Sequence, residues 1–322
     1  MMVDGTEAVE AALTDAFPAR RVDELSGVGP SWNDANRTVR VEFADGDAAF
    51  LKVAVDGDGS RIATERAVIP YADARCDVAV PTILATGAAG STPYLVTAPM
   101  DGANFHRPWA DWSVDERERE IERVGAALAA IHAREFDRHG RIVGGGAGGL
   151  TVETDSWTET LVAEIERDRR LASTDRYDRY FDEVVEAVRA NADVLDRAPA
   201  TLVHGDPAMP NVFRTDAATG FIDWEIAHVG DPARELHRVE GRLRDWGDAV
   251  GDRLVSAFRE GYRRRAGGLP VGREERAPVY DAVRLLGTAG FFDKHVEHVD
   301  ASPEEAAERF ERDMERRLDA VR

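Results

Sequence analysis

The pattern of apolar residues changes once along the chain, near Asp101-Gly102, and this change constrains the fold more than any other feature. Before it, TVRVEF and AAFLKVAV alternate apolar and polar residues on either side of the turn ADGD, which predicts a β-hairpin. Shorter strand-like runs follow at VPTIL and PYLVT. A helix is expected near residues 6–17 and a second near residues 63–75, which Pro70 should kink or end early. Residues 1–101 are therefore predicted to form a small, strand-rich unit.

Beyond residue 101 the apolar residues recur at helical spacing. Helices are predicted over the segments 114–133, 156–171, 180–195, 254–265, 277–299 and 303–321. The run GGGAGG at residues 144–149 is interpreted as a flexible loop, because it lacks the GK[ST] ending of a phosphate-binding loop. One strand-rich segment, TLVHGDPAMPNVFRTDAATGFIDWE at residues 201–225, interrupts the helices. The predicted fold class is therefore α+β, with a larger and mostly helical unit over residues 102–322.

The charge of the chain excludes two classes of partner. The 322 residues include 61 acidic and 41 basic side chains, which give a formal net charge of −20. Such a surface repels the phosphates of nucleic acids and of anionic membranes, so neither partner is expected. The N-terminus lacks the basic start and apolar core of a signal peptide, which predicts a cytoplasmic protein. The acid-rich, lysine-poor composition resembles that of proteins from salt-loving archaea.

Residues able to carry chemistry are concentrated in the strand-rich segment. His204 and Asp206 follow its first short strand, and Asn211 comes five residues after Asp206. NVFR and GFID can pair across the turn TDAAT, which places Asp223 near Asn211. Two carboxylates and an amide suit a hard divalent cation such as Mg²⁺. The spacing H-x-D-x4-N also matches the catalytic loop of kinases, in which the Asp accepts the proton of the substrate hydroxyl and the Asn holds a metal ion.

The stretches HGDPAMPN and FIDWEIAHVGDPARE resemble the aminoglycoside phosphotransferase or choline-kinase-like family. The resemblance implies a bilobal, protein-kinase-like fold with a small antiparallel-sheet N-lobe and a larger helical C-lobe. It also implies transfer of phosphate from ATP or GTP to the hydroxyl of a small molecule, with Mg²⁺. Matched position by position, Asp206 would be the catalytic base, and Asn211 and Asp223 the magnesium ligands. Asp231 would be structural, and His204 is expected to brace the loop through hydrogen bonds.

The same resemblance assigns a nucleotide site to the first 101 residues. Lys52 on AAFLKVAV would hold the ATP phosphates, and Glu65 on the next helix would pair with it. Lys52 is one of only two lysines, and a lysine is expected to persist where an arginine would not serve at a crowded phosphate site. The remaining candidates for nucleotide contact are two hinge residues and two residues of the loop SGVGPSWNDAN, namely Thr97, Met100, Gly27 and Gly29.

Several alternatives remain open at this stage. Asp206 and Asp223 could instead be turn residues whose carboxylates bind local backbone amides. Glu225 could lie near the metal or in solvent, and Lys294 is interpreted as a surface residue. A catalytically silent nucleotide-binding module is a second hypothesis, and a protein kinase a third, although DWE in place of DFG argues against the latter. The acceptor could be an aminoglycoside, a sugar or an amino alcohol.

Overall fold

The computed structural model describes residues 5–28, 35–55, 58–106, 108–297, 299 and 301–322, apart from the side chain of Asp248. The first elements are α1 (Gly5–Ala16), β1 (Val22–Gly27), β2 (Asn36–Phe43), β3 (Ala48–Ala54), α2 (Ser60–Arg75), β4 (Ile83–Ala89) and β5 (Thr92–Thr97). Their strands form one antiparallel sheet in the order β1-β2-β3-β5-β4. The predicted β2–β3 hairpin is confirmed, with Val39 opposite Leu51.

Strand β3 presents its residues alternately to the two faces of this sheet. Ala49, Leu51 and Val53 are buried in an apolar cluster that also contains Ala8 and Ala12 of α1. Lys52 lies between these residues and therefore faces the other side of the sheet, toward α2. The apolar pattern of the strand thus fixes the direction in which the lysine projects.

The chain after β5 is mostly helical, as the sequence predicts. Its helices are α3 (Val114–Ile131), α4 (Trp157–Leu171), α5 (Asp178–Ala190), α6 (Ala192–Leu195), α7 (Pro232–Arg244), α8 (Asp248–Ala266), α9 (Arg273–Ala289), α10 (Phe292–Val296) and α11 (Pro303–Asp319). The single helices predicted over 180–195 and 277–299 are each two helices. Among the described residues, no helix is both long enough and apolar enough to cross a membrane.

In the described part of the chain, seven short strands lie among these helices and form two further sheets. They are β6 (Ala103–Asn104), β7 (His139–Gly146), β8 (Gly149–Asp155), β9 (Thr201–Val203), β10 (Val212–Arg214), β11 (Thr219–Phe221) and β12 (His228–Gly230). The sheet orders are β11-β10-β6 and β8-β7-β12-β9. Pairing of β10 with β11 confirms the hairpin predicted within the strand-rich segment. The boundary between units at residue 101 stays a prediction.

The glycine-rich run at residues 144–149 is not the loop that its composition suggested. It forms the end of β7 and the start of β8, which pair as an antiparallel hairpin. This hairpin packs on α2, where Thr64 Oγ1 donates to the carbonyl of Ile142 at 3.0 Å and Arg75 Nε donates to that of Ala147 at 3.1 Å. Helix α2 continues through Pro70 to Arg75, so the expected early end is wrong. Burial of α2 against the hairpin compensates for the hydrogen bond that a proline cannot donate.

The largest buried apolar cluster connects the first sheet and the helices. Val68 of α2, Leu128 of α3, Leu202 of β9 and Phe258 of α8 all belong to it and are fully buried. A second cluster lies among α4, α5, α9 and α11 and contains Trp157. Strand β9 is therefore packed within the largest cluster. Its packing fixes the position from which the loop His204 to Asp206 begins.

Candidate active site

Lys52 lies at the centre of a cluster of three carboxylates. Its ammonium nitrogen is 2.6 Å from Glu65 Oε2, 2.6 Å from Asp223 Oδ1 and 3.1 Å from Glu225 Oε2. The predicted contact between Lys52 and Glu65 is therefore present, and Glu65 lies in a helix that continues through Pro70. The contact with Asp223 joins β3 of the first sheet to the end of the β10–β11 hairpin.

The cluster has more acidic groups than its one ammonium can neutralise. Burial alone would lower the pKa of Lys52, but the three carboxylates outweigh it and hold that pKa well above its usual range. Burial raises the pKa of Glu65 to about 7, against the attraction of Lys52. Burial also opposes ionisation of Glu225, yet Lys52 and Arg61 lower its pKa to about 2. Glu65 is therefore the carboxyl that takes up a proton near neutral pH.

Glu225 is buried in this cluster, so the solvent-exposed alternative for it is wrong. Its two oxygens accept hydrogen bonds from Arg61 Nη1 at 2.6 Å and from Asn36 Nδ2 at 2.9 Å, in addition to the contact with Lys52. Oxygens of Glu65, Asp223 and Glu225 all lie within 4.8 Å of one another, an arrangement that could hold a metal ion. The sequence had provided no reason to include Arg61 or the side chain of Asn36.

Asp223 reaches Lys52 from a strained backbone position. Its φ of 67° makes it the one residue other than glycine with a positive φ among the described residues. Aspartate tolerates this left-handed region better than most side chains, but it still costs free energy. The turn after β11 uses that conformation, and the carboxylate remains about 40% exposed while it contacts the lysine.

His204 fixes the loop that follows β9. The ring is completely buried, and its Nδ1 accepts a hydrogen bond from the backbone N–H of Asp206 at 3.2 Å. Nε2 therefore carries the proton and donates to the carbonyl of Ile222 at 3.0 Å. Burial lowers the pKa of His204, which keeps the ring neutral. The histidine thus connects the loop to the strand end that precedes Asp223.

Asp206 carries a carboxylate with three polar neighbours. Its Oδ1 accepts from Arg242 Nη2 at 2.7 Å and lies 3.3 Å from Arg238 Nη2. Asn211 Nδ2 donates to the backbone carbonyl of Asp206 at 3.0 Å and lies 3.4 Å from Oδ2. Burial would raise the pKa of Asp206, but the two arginines outweigh it and hold that pKa below its usual range. The carboxylate is therefore ionised at neutral pH.

Comparison with known families identifies this arrangement. The model of the phosphotransferase enzyme family matches residues 29–286. The chain belongs to this family. Membership confirms the resemblance inferred from the HGDPAMPN and FIDWEIAHVGDPARE stretches, and it supports a phosphotransferase of the kinase type.

Solved structures confirm the protein-kinase-like fold. Aminoglycoside phosphotransferase APH(4)-Ia is 18% identical, with 98% of each chain covered and a TM-score of 0.61. A protein described as a fructosamine-3-kinase from Thermobifida fusca is 21% identical, with 98% of this chain and 100% of that chain covered and a TM-score of 0.58. Macrolide 2'-phosphotransferase MphH from Brachybacterium faecium is 19% identical, with 93% and 96% covered and a TM-score of 0.56. At these identities the likeness shows the fold alone. A search of curated proteins found no match.

In this family member, Asp231 belongs to a buried structural network. Its Oδ1 accepts from the backbone N–H of Ala233, which caps the start of α7. Oδ2 accepts from Arg276 Nε at 2.7 Å and from the Tyr280 hydroxyl at 2.5 Å. This network holds α7 against α9, and Asp231 is only 1% exposed, which agrees with a structural role.

The remaining residues predicted to contact the nucleotide do not belong to the Lys52 cluster. Thr97 ends β5, and Met100 packs its methyl group close to Gly220 of β11, between the first sheet and the β10–β11 hairpin. Gly27 ends β1 and is exposed, while Gly29 lies outside the described residues. Lys294 is on α10 and does not belong to the Lys52 cluster.

One buried group that sequence reasoning missed is Glu235 of α7. Its carboxylate accepts from the backbone N–H of Gly205 at 2.6 Å and from that of His204 at 3.3 Å, and it lies 2.8 Å from His132 Nε2. Glu235 therefore holds the Asp206 loop through the backbone N–H groups of that loop, and His204 holds the same loop through its ring. Its position four residues after Asp231 was the available signal, because both face the protein interior at that helical spacing.

Proposed function

We propose that the protein is a Mg²⁺-dependent kinase that transfers the γ-phosphate of ATP or GTP to a hydroxyl group of a small molecule. The observation that carries this proposal is the position of Lys52 Nζ, 2.6 Å from both Glu65 and Asp223. A strand lysine, a helix glutamate and a hairpin aspartate meet at one point, next to a loop that presents Asp206 and Asn211. Kinase chemistry needs these groups together.

Lys52 and Glu65 are proposed to hold the nucleotide phosphates. The ammonium offers three donors from one compact charge, and Glu65 fixes its direction. Thr97, Met100, Gly27 and Gly29 are proposed to contact the rest of the nucleotide. Support comes from APH(4)-Ia, which has the same fold and was solved with hygromycin B together with ADP or AMP-PNP.

Asp223 and Asn211 are proposed to bind Mg²⁺. The oxygens of Asp223, Glu65 and Glu225 that approach within 4.8 Å of one another fit a hard cation, which prefers carboxylate ligands. Bound there, Mg²⁺ would offset the negative charge of the phosphates. Glu225 is already neutralised by Arg61 and Lys52, so Asp223 is the carboxylate that can leave its present contact at the lowest cost.

Asp206 is proposed to orient the acceptor hydroxyl and to receive its proton. The hydroxyl oxygen bonds to the γ-phosphorus while the bond from that phosphorus to the β,γ-bridging oxygen breaks, and ADP or GDP leaves. The proton passes to Asp206 Oδ2, because Oδ1 is held by Arg242. A low pKa suits this role, since the carboxylate must be ionised before the reaction and needs to accept the proton only late in a loose transition state. His204, Glu235 and Asp231 would act by keeping the loop in place.

The test is nucleotide turnover with and without Mg²⁺ across sugars, amino alcohols, hydroxy acids and aminoglycosides. We expect release of ADP or GDP that requires Mg²⁺ and is matched by a phosphorylated acceptor, observed by ³¹P NMR. Removal of Mg²⁺ with EDTA should abolish it. Failure to bind either nucleotide in the presence of Mg²⁺ would contradict the proposal.

A further inference from the structure

One face of helix α7 carries three arginines, Arg234, Arg238 and Arg242. Residues spaced by four lie above one another on a helix, so the three form a single stripe. The acidic residues of α7 do not neutralise this stripe. Glu235 faces the Asp206 loop from the interior, and Glu240 pairs with arginines of α8 and α9.

The stripe ends at the proposed catalytic base. Arg242 donates to Asp206 Oδ1 at 2.7 Å, and Arg238 Nη2 lies 3.3 Å from the same oxygen. Arg238 Nη1 also donates to the carbonyl of Gly205 at 2.8 Å, which fixes the position of its guanidinium. The side chains of Arg238 and Arg242 are 33% and 39% exposed, so a ligand can reach both of them from solvent.

The cations around Asp206 outnumber the anions that pair with them. Arg234 has its own partner, Glu164, at 2.7 Å. Among the ion pairs of the described residues, Arg238 and Arg242 share the single carboxylate of Asp206. Asp168 on α4 is a further acidic group close to Arg234 and Arg238, but it forms no ion pair with either. Burial and the nearby Glu164 raise the pKa of Asp168 to about 6.

This surplus contrasts with the rest of the chain. The protein carries a net charge of −20, so a stripe of arginines next to a proposed catalytic carboxylate is opposite in sign to the chain as a whole. Arg242 Nη1 has no hydrogen-bond partner among the described residues, but it is buried, so a ligand from solvent would meet the exposed part of the side chain instead. A guanidinium binds a carboxylate or phosphate through paired hydrogen bonds, and two adjacent ones repel an ammonium group.

We propose that the acceptor is an anionic hydroxyl compound, whose carboxylate or phosphate group is bound by Arg238 and Arg242 while its hydroxyl faces Asp206 Oδ2. The inference rests on the proposed function, because it takes Asp206 as the residue that meets the hydroxyl. An amino sugar or amino alcohol, protonated at neutral pH, would place its charge against the two guanidinium groups.

The alternative is that the two arginines only position Asp206 and its loop. A purely positioning role would change the rate with every acceptor by a similar factor. Recognition of an anion would instead change the ratio between acceptors that differ in charge. That ratio is therefore the quantity to measure.

The experiment compares ligands of one skeleton and different charge. Binding of glucose, glucosamine, glucuronate and glucose 6-phosphate is measured by calorimetry in the presence of Mg²⁺ and AMP-PNP, and glycerol, serinol, glycerate and glycerol 3-phosphate form a second series. In each series we expect at least one of the two anionic compounds to bind at least about tenfold more tightly than the neutral compound. The ammonium compound should bind most weakly. The glucuronate and glucose 6-phosphate arms distinguish a carboxylate from a phosphate ligand.

Variants assign the preference to the arginine stripe. Arg238→Gln combined with Arg242→Gln should abolish the preference for the anion, and the two Lys substitutions should retain most of it. Arg244→Gln is the matched control, because Arg244 is on the same helix but faces away from the stripe and pairs with Glu240 at 3.7 Å. Unchanged AMP-PNP affinity in each variant shows that it is folded.

The outcomes separate the two proposals. Equal binding of all members, tighter binding of the ammonium compounds, no detectable binding of any member to the AMP-PNP complex, or a preference that persists in the double Gln variant would overturn the anionic acceptor. Each of these leaves the kinase proposal standing, because Mg²⁺ and AMP-PNP are bound. Absence of AMP-PNP binding to the unaltered protein would overturn the proposed function itself.

Discussion

At the scale of single residues, Lys52 shows why the chemical nature of a side chain matters more than its charge. Its ammonium meets Glu65, Asp223 and Glu225 from three directions. A planar guanidinium distributes its donors in one plane and cannot reproduce that arrangement. Only two of the 41 basic residues are lysine, so a lysine at this position supports a role that an arginine would not serve.

The two lysines provide a matched pair of variants. Lys52→Arg should weaken binding of Mg²⁺-ATP about tenfold or more, because the ion pair with Glu65 and the contact to the phosphates both lose their geometry. Lys294→Arg on α10 should bind as the unaltered protein does. Isothermal titration calorimetry measures both affinities, and equal affinities for the two variants would contradict the role of Lys52.

Glu65 makes stability depend on pH in a defined direction. Its pKa is about 7 in the folded protein, against an ordinary value of 4.5. Because the unfolded chain releases this proton first, the contribution of Glu65 to stability is complete below about pH 4.5 and is lost as the pH rises to about 7. Relative to Glu65→Gln, the unaltered protein should lose stability across that range, by at most about 1.4 kcal/mol per pH unit.

Urea unfolding of both proteins at a series of pH values measures this difference. Replacement of Glu225 gives a control in which stability changes with pH in the opposite direction. The pKa of Glu225 in the folded protein, about 2, lies below its ordinary value of 4.5. Its contribution is complete above about pH 4.5 and is lost as the pH falls toward 2. Parallel stability curves for the unaltered protein and Glu65→Gln between pH 4.5 and 7 would contradict the raised pKa.

At the scale of elements, helix α2 and the β7–β8 hairpin hold Glu65 in place. The two elements pack along most of their lengths, and the hairpin supplies backbone carbonyls to side chains of α2. The glycines of this hairpin allow the close approach of its two strands. A β-carbon on Gly140, where φ is +146°, would lie 2.1 Å from the carbonyl oxygen of Glu153.

This geometry separates two glycine substitutions that look equivalent in sequence. Gly140→Ala should destabilise the protein by about 1–3 kcal/mol or more, because of the backbone clash and the unfavourable φ. Gly148→Ala should be close to neutral, since a β-carbon on Gly148 would have no atom within 4 Å beyond its chain neighbours. Thermal or urea unfolding gives both values, and a loss for Gly148→Ala as large as that for Gly140→Ala would contradict the packing described.

The elements also show the limits of prediction from sequence. Alternation in TVRVEF and AAFLKVAV predicted the β2–β3 hairpin, because one face of each strand is buried and the pattern is local. The glycine-rich hairpin was not predicted, and the helix predicted near residues 63–75 was expected to be kinked or to end early at Pro70, whereas α2 continues to Arg75. Each depends on the other as a packing partner, and neither composition nor periodicity contains that contact.

At the scale of the whole molecule, the short motifs located the site and the tertiary structure completed it. His204, Asp206, Asn211 and Asp223 could be found because they lie within 20 residues in a recognisable order. The arginine stripe could not, and Glu235 had only its spacing from Asp231 as a signal, because their roles depend on which face of α7 packs beside the Asp206 loop. Net charge gave no sign of these arginines, since a chain with a net charge of −20 places Arg238 and Arg242 beside Asp206.

The proposed reaction depends most on Asp206, which is proposed to accept the proton of a substrate hydroxyl. The most direct test is the rate of phosphate transfer by Asp206→Asn, measured by ³¹P NMR with Mg²⁺-ATP and the best acceptor of the panel. Asp216→Asn is the matched control, because Asp216 is an exposed residue in the turn between β10 and β11. We expect Asp206→Asn to keep its affinity for Mg²⁺-ATP and to lose transfer by about 10²–10⁴-fold, while Asp216→Asn keeps both. Transfer by Asp206→Asn at the rate of the unaltered protein would show that Asp206 does not accept this proton.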